Sequence, residues 1–373
     1  MNAVEPKILS STLVIEEQEI DIKASSAPSV TIGIPVLNEE GHIERVVRGF
    51  LGCGYPNLVE ILIADGGSTD RTREIISGIS QEDARVKLVE NPQKFQSFGL
   101  NIMIDKAVGD VFLRADAHCY YKENYVTKCI EVLLETGARN VGGSQRYKAE
   151  NIVQAGIAIA VKSFLGNGGA KYMNDQYEGY GDTVFLGCFW TNDLKRVGNF
   201  STDNITNQDS ELNLRLIEAF GDESVFISPN IQSWYFPRDT LWKLFKQYFR
   251  YGRGRFITKV HHPQQSPIRG MLPFLFICTL SILVISDLII ETSLSSIWVL
   301  GILFLILVTE SMKTVSSTKE VFSNEIWSSN KKEPNFIVRV FITSISLALM
   351  QIGHFSGFLY QVLRRVILQK KGW

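Results

Sequence analysis

The chain has 373 residues, with 38 Lys and Arg against 39 Asp and Glu and a net charge of −1, so no global basic field points to nucleic acid as a partner. Five cysteines (Cys53, Cys119, Cys129, Cys188 and Cys278) are odd in number and form no C-x-x-C pair, which argues against a disulfide framework or a zinc site and agrees with a reducing compartment. Composition divides the chain into a polar extension (1–28), a mixed α/β region (29–236), a basic aromatic stretch (237–265) and an apolar tail (266–373).

Residues 1–28 lack the basic-then-apolar pattern of a signal peptide. From Ser29 the sequence alternates strand-like and helix-like runs. SVTIGIPVL predicts a strand, EEGHIERVVRGFL a helix, VEILIAD a strand ending at the turn GGS, and TDRTREIISGI a helix capped by Ser68 or Thr69. RVKLVE, FQSFGLNIMIDKA, DVFLRAD, KENYVTKCIEVLLETG and ARNVGGSQ continue the alternation. Such spacing implies a mostly parallel sheet covered on both faces, a Rossmann-like α/β fold. Ligands of such sheets bind beyond the carboxyl ends of the strands, where Asn38, Glu39, Asp65, Asp116 and His118 gather.

After Tyr147 a helical stretch (151–165) leads to a Gly- and Tyr-rich loop, GNGGAKYMNDQYEGYGD, then to the strand-like TVFLGCFW. NQDSELNLRLIEAFG predicts an amphipathic helix with Leu212, Leu216 and Ala219 inward, ending at Gly221. Residues 238–262 hold Arg238, Lys243, Lys246, Arg250, Arg253, Arg255 and Lys259 against one acid, Asp239, with Trp242, Phe245 and Phe249 as an apolar stripe. Gln247, Arg250 and Tyr251 fall on one helix face. A basic aromatic helix directly before an apolar run reads as one lying on anionic lipid headgroups.

In the tail, Met271 to Ile290 is long enough to span a bilayer. Ile297 to Val308 is short without its flanks, and Phe336 to Leu363 is long but carries Arg339, Gln351 and His354. Lys313, Lys319, Lys331 and Lys332 follow the second run, and Arg364, Arg365, Lys370 and Lys371 follow the third. The positive-inside rule favours two spans with the third segment interfacial or re-entrant. The expected location is a multi-pass membrane protein with the α/β region on the cytoplasmic side.

Five motifs in this order, IPVLNEE (34–40), ADGGSTDRT (64–72), RADAH (114–118), NQDSELNLRL (207–216) and QYFRY (247–251), resemble family 2 of the inverting nucleotide-sugar glycosyltransferases, which have the GT-A fold. The resemblance runs from about Ser29 to His262 and is nearest the succinoglycan-type glucosyltransferases, in which D-A-H and HHP also occur. It implies that Pro35, Leu37, Glu39 and Asp65 line the nucleotide pocket. It also implies that Asp116, with His118, holds a divalent cation, Mn2+ or Mg2+, on the diphosphate. An imidazole ligand tilts that preference towards Mn2+. Asp209 matches the general base that inversion requires, with Glu211 as its substitute. Gln208 stands where Glu is usual, which predicts a less elevated Asp209 pKa. Arg250 would contact the departing diphosphate, and Gln247 and Tyr251 would shape the acceptor end.

Two departures concern the nucleotide: Gly66 stands where many members have a second Asp, and Leu37 where an aromatic is usual. The base is therefore left open between UDP- and GDP-hexose. The implied reaction transfers a hexose to a lipid-linked saccharide or polysaccharide at the membrane. A polyprenyl-phosphate sugar synthase and a non-catalytic nucleotide-sugar-binding membrane protein remain alternatives.

Overall fold

The computed structural model describes residues 27–264, 266–290, 294–370 and 373. The expected polar extension lies outside them except for its last two residues, as do residues 291–293 between the first two apolar runs.

An eight-stranded sheet forms the centre. Its strands are β1 (Val30–Val36), β2 (Leu58–Asp65), β3 (Val86–Glu90), β4 (Val111–Arg114), β6 (Asn140–Gly143), β8 (Gly179–Tyr180), β9 (Phe185–Trp190) and β10 (Val225–Ile227), in the order β3-β2-β1-β4-β9-β6-β10-β8. β5 (Cys119–Tyr121), β7 (Arg146–Tyr147) and β11 (Ser233–Tyr235) make a second, small sheet in the order β5-β11-β7. β1 to β4 pair in parallel, as the alternation predicts. β9 then inserts antiparallel between β4 and β6, so the sheet is mixed beyond β4. The small sheet was not foreseen, because its strands are only two or three residues long.

Helices α1 (Ile43–Leu51), α2 (Thr72–Glu82), α3 (Gln96–Lys106) and α4 (Tyr125–Thr136) follow the first strands. α1 buries Ile43, Val46, Val47 and Phe50, the spacing that puts one face on a sheet. At α2, Ser68 and Thr69 do not cap as expected; the Asp70 carboxylate accepts the Thr72 N–H at 3.0 Å. Helices α5 (Ile152–Ala160), α6 (Phe164–Asn167), α7 (Thr191–Arg196) and α8 (Gln208–Phe220) come next. α8 buries Leu212 and Leu216, but Ala219 is exposed, because the buried face is completed by Glu211 and Asn213 instead.

The last helices are α9 (Leu241–His261), α10 (Leu272–Ile290), α11 (Leu294–Ser317), the single turn α12 (Lys319–Val321) and α13 (Phe336–Val366). Among the described residues, Ile297–Ser317 and Phe336–Val366 are long and apolar enough to cross a membrane, and Leu272–Asp287 is a shorter apolar helix. The second run thus extends well past Val308, because the Ser, Thr, Glu and Lys beyond it remain helical. α10 and α11 turn Phe276, Ile282, Leu283, Trp298, Phe304 and Leu305 outward.

α13 behaves differently: it lies along α9, α5, α10 and α11. Gly353 meets Phe245, Gly357 meets Phe249, and Gln361 accepts from Arg253 at 3.0 Å. The two helices therefore climb side by side in parallel. A Cβ at Gly357 would collide with the Phe249 carbonyl, and one at Gly252 with that of His354. Only glycine permits this approach. Gly357→Ala is expected to destabilise the fold by about 1–3 kcal/mol through overpacking, read as a lowered unfolding midpoint in detergent.

Candidate active site

The site forms at the carboxyl ends of β1, β2 and β4. Where β1 ends, Asn38 takes the left-handed conformation (φ 57°). Its N–H donates to Ser68 Oγ at 2.8 Å, and its side-chain oxygen accepts the Thr69 N–H at 2.8 Å. The β1 and β2 turns are thereby stitched together, with Pro35 behind and Leu37 at the rim, 48% exposed. Asp65 is fully buried beneath its turn. It accepts from the N–H groups of Gly67 and Ser68, from the Ser68 hydroxyl, and from Arg73 at 2.7 Å. Burial pushes its carboxyl up, but these donors outweigh it and leave it below the usual range. Both oxygens are engaged, so Asp65 supports its own turn rather than presenting a free carboxylate.

Beyond β4 the chain reads Arg114-Ala115-Asp116-Ala117-His118. Alternate residues of an extended chain share a face, and Arg114 and Asp116 do. The buried Arg114 guanidinium pairs with Asp116 at 3.4 Å and with Asp209 at the start of α8. Burial works against its charge, and the two carboxylates overcome that. Asp116 is held by two more side chains. Gln96 donates to its Oδ1 at 3.2 Å, and Gln208 donates to Gln96 at 2.9 Å. The Tyr121 hydroxyl accepts the Asp116 N–H at 2.7 Å and donates to its carbonyl at 3.0 Å.

His118 Nδ1 lies 2.9 Å from Glu39 Oε1, and its ring meets Tyr235 edge-on with centroids 5.5 Å apart. Burial lowers its pKa, but the hydrogen bond to Glu39 and the charge of Asp116 raise it further, so the ring titrates above its ordinary value. Glu39, expected in the nucleotide pocket, is thus the orienting partner of His118.

Asp209 is 38% exposed at its side chain. Desolvation raises its pKa, Arg114 lowers it and Asp116 raises it, with a net upward shift. Loss of hydration is the largest cause of that rise. Glu211 cannot substitute as a base, since it is buried between Arg215 at 2.8 Å and His262 at 3.0 Å.

α9 closes the site from the far side. Gln247 donates to the Tyr251 hydroxyl at 2.8 Å. Desolvation raises that hydroxyl's pKa, Arg238 lowers it and Asp209 adds to the rise, which puts Tyr251 within electrostatic reach of Asp209. Arg250, the residue before Tyr251, is exposed. Arg238 also acts on His118 and Tyr235.

Sequence reasoning missed Arg114, Gln96, Tyr121 and Arg238. Only Arg114 carried a readable signal, an arginine inside an apolar strand two residues before an aspartate.

The residues present fit a divalent cation whose shell is completed by substrate. No group of three His, Cys, Asp or Glu that would cage an ion exists among the described residues. Asp116 and His118 nonetheless offer one hard oxygen and one imidazole, and the carboxylate on Nδ1 leaves Nε2 as the ligating atom, the usual arrangement behind a metal-bound histidine.

Comparison with known proteins gives the family. The profile described as Glycosyl transferase family 2 matches residues 31–195. The chain is 34% identical over 250 residues to the succinoglycan biosynthesis protein ExoA of Rhizobium meliloti (strain 1021), covering 66% of this chain and 75% of that one. It is 32% identical over 273 residues to a dolichyl N-acetyl-α-D-glucosaminyl phosphate 3-β-D-2,3-diacetamido-2,3-dideoxy-β-D-glucuronosyltransferase of Methanococcus voltae, covering 70% and 83%. Among solved structures it is similar in fold to the mannosyltransferase PcManGT from Pyrobaculum calidifontis in complex with GDP-Man and Mn2+, with a TM-score of 0.57 at 15% identity over 91% of this chain and 88% of that one. With its strand order, its carboxylates at the strand ends and relatives of this similarity over most of their length, the chain belongs to glycosyl transferase family 2, as a transferase with the GT-A fold.

Proposed function

We propose that the protein is an inverting, metal-assisted hexosyltransferase that moves a hexose from a nucleoside diphosphate to a lipid-linked saccharide or polysaccharide at the membrane. One observation carries this reading. Asp116 and His118, just after β4, and Asp209, at the start of the distant α8, converge at the carboxyl end of the sheet, with Arg114 pairing to both aspartates.

Asp116 and His118 would hold Mn2+ or Mg2+, and that ion, when bound, neutralises the charge of the departing diphosphate. The protein's own groups do the rest. Asp209 accepts the proton of the attacking acceptor hydroxyl, and its raised pKa makes it a better base than an ordinary aspartate. Inversion needs only this one carboxylate at the reacting carbon, with no second one as nucleophile. Arg114 stays charged throughout, so it stabilises Asp209 before the proton moves and Asp116 afterwards. Arg238, an exposed cation that acts on His118 and Tyr251, suits the diphosphate, as would Arg250. The turn at 65–69 receives the nucleotide, with Pro35 and Leu37 as the apolar wall. Gln247 and Tyr251 shape the acceptor end.

The membrane region supports a lipid-borne acceptor. In this reading α10 and α11 form a two-span hairpin, α13 lies along the catalytic region, and the site faces the cytoplasm. Trp242, stacked on Phe245 at 5.4 Å and 62% exposed, would sit among headgroups. The relative from Methanococcus voltae, whose name carries a dolichyl-linked sugar phosphate, supports the same class of acceptor.

The test is release of nucleoside diphosphate from a panel of UDP- and GDP-hexoses by membranes carrying the chain, with and without a chelator. Release that needs both Mn2+ or Mg2+ and a lipid extract is expected. No release with any donor would sink the proposal and favour a binding protein.

Glu39→Gln tests the ligand pair separately. It keeps the side chain's length but removes the carboxylate behind His118. Mn2+ affinity in the presence of nucleoside diphosphate, followed by electron paramagnetic resonance, is expected to fall about 10–100-fold.

A further inference from the structure

The segment that carries Asp209 is clamped by α9, and the clamp centres on one hydroxyl. Thr258 is fully buried. Its Oγ1 accepts from Asn204 Nδ2 at 3.0 Å and from Asn207 Nδ2 at 2.8 Å, and donates to the Gly254 carbonyl at 3.0 Å. A hydroxyl has one donor and two acceptor sites, and all three are used. Asn204 is also fully buried, and Asn207 is the residue before α8, held in the left-handed conformation at φ 67°. Asp209 follows two residues later.

Two further bonds flank this centre. Thr206 Oγ1 donates to the Arg250 carbonyl at 2.8 Å, and His262 Nε2 lies 3.0 Å from Glu211. Gly254 has to be glycine, because a Cβ there would sit 2.6 Å from the Thr206 carbonyl and hydroxyl. Three turns of α9 are thus fastened to residues 204–211. α9 is in turn packed along α13 through Gly252, Gly353 and Gly357.

We propose that Thr258 is a positioning residue for the transfer reaction. It fixes the left-handed entry to α8, and hence the place of Asp209, against a helix whose seat is the membrane-proximal α13. The inference rests on the reading of Asp209 as the base. Thr258 touches no substrate in this account and acts only through the 204–209 segment. The alignment of a base with its hydroxyl is steeply sensitive to displacement, a shift of about 1 Å costing on the order of 10²-fold in rate.

The experiment compares Thr258→Val, Thr258→Ser and Asn207→Gly in the full-length protein in lipid nanodiscs. Valine keeps the shape and removes the hydroxyl; serine restores it. Glycine at 207 keeps the left-handed backbone and deletes only the amide, so it reports on the clamp should the buried valine impair folding. Expected are a fall in kcat of about 10²-fold in Thr258→Val and Asn207→Gly, an unchanged KM for the donor, unchanged binding of nucleoside diphosphate with Mn2+, and rescue in Thr258→Ser. Full kcat in both variants overturns the inference. So does a loss of donor binding that parallels the loss of kcat in both.

A double-mutant cycle with Asp209→Asn separates the two claims. If Thr258 acts through Asp209, Thr258→Val causes no further loss in the Asp209→Asn background. An equal loss in both backgrounds overturns the positioning role and leaves the base intact. Wild-type activity in Asp209→Asn alone overturns the base.

Discussion

Asp209→Asn is expected to lower kcat about 10²–10⁴-fold, the usual contribution of a positioned general base, with donor binding unchanged. Asparagine preserves the side chain's shape and its reach to Arg114 while removing the proton acceptor. Steady-state kinetics with saturating donor, beside equilibrium binding of nucleoside diphosphate, would read the two effects apart. Because Glu211 is locked by Arg215 and His262, it cannot take over. A loss of only a few-fold would mean that the nucleophile arrives already ionised, as a lipid phosphate does, and would move the acceptor to that class.

Asp116→Asn is expected to be at least as severe, about 10²–10³-fold in kcat/KM, since it weakens the charge that faces the leaving diphosphate. It should also abolish retention of Mn2+ with nucleoside diphosphate, measured by electron paramagnetic resonance. The backbone at 116 is fixed by Tyr121 on both its N–H and its carbonyl, so the amide stays where the carboxylate was. His118→Ala is expected to have a milder effect of the same kind, because Asp116 and the diphosphate oxygens still hold the ion. Metal retention unchanged in Asp116→Asn would remove the metal site from this edge of the sheet.

The membrane side of the account depends on a division of labour among the last helices. α10 and α11 present apolar side chains outward, while α13 joins its flanks to α5, α9 and α11. It also reaches α6 through Gln351, which donates to the Leu165 carbonyl at 2.6 Å, and α11 through Ser344, which meets Ser311 at 2.9 Å. The polar residues that made this third segment a poor span in sequence are among those that dock it. Gln351 faces α6, and Arg339 and His354 are buried.

Local chemistry explains which parts of the protein were legible in its sequence. The first four strands were readable because each is a short Val- and Ile-rich run bounded by turn residues, and parallel pairing follows from the helices between them. Their carboxyl ends then located Asp116, His118 and Glu39 together. The antiparallel entry of β9 was not readable, because its position between β4 and β6 is set by pairing across some forty to eighty residues. Asp65 illustrates a different limit. Its place at the end of β2 was evident, but not that Arg73, the second residue of the following helix, swings back to pair with it. Tyr121 and Gln96 escaped notice because neither belongs to a motif, and their value lies wholly in distances that only the fold creates. The same holds for Thr258, whose partners are fifty residues away in sequence.

The configuration of the transferred sugar tests the central claim most directly. A single base and a metal-bound leaving group predict displacement at the anomeric carbon with inversion. The full-length protein would be supplied with an α-linked nucleotide hexose, Mn2+ and its lipid acceptor, and the product's anomeric coupling constant measured by NMR. A β-linked hexose on a lipid-linked product is the result this account predicts. An α-linked product would contradict it, by requiring a second displacement for which this site provides no nucleophile.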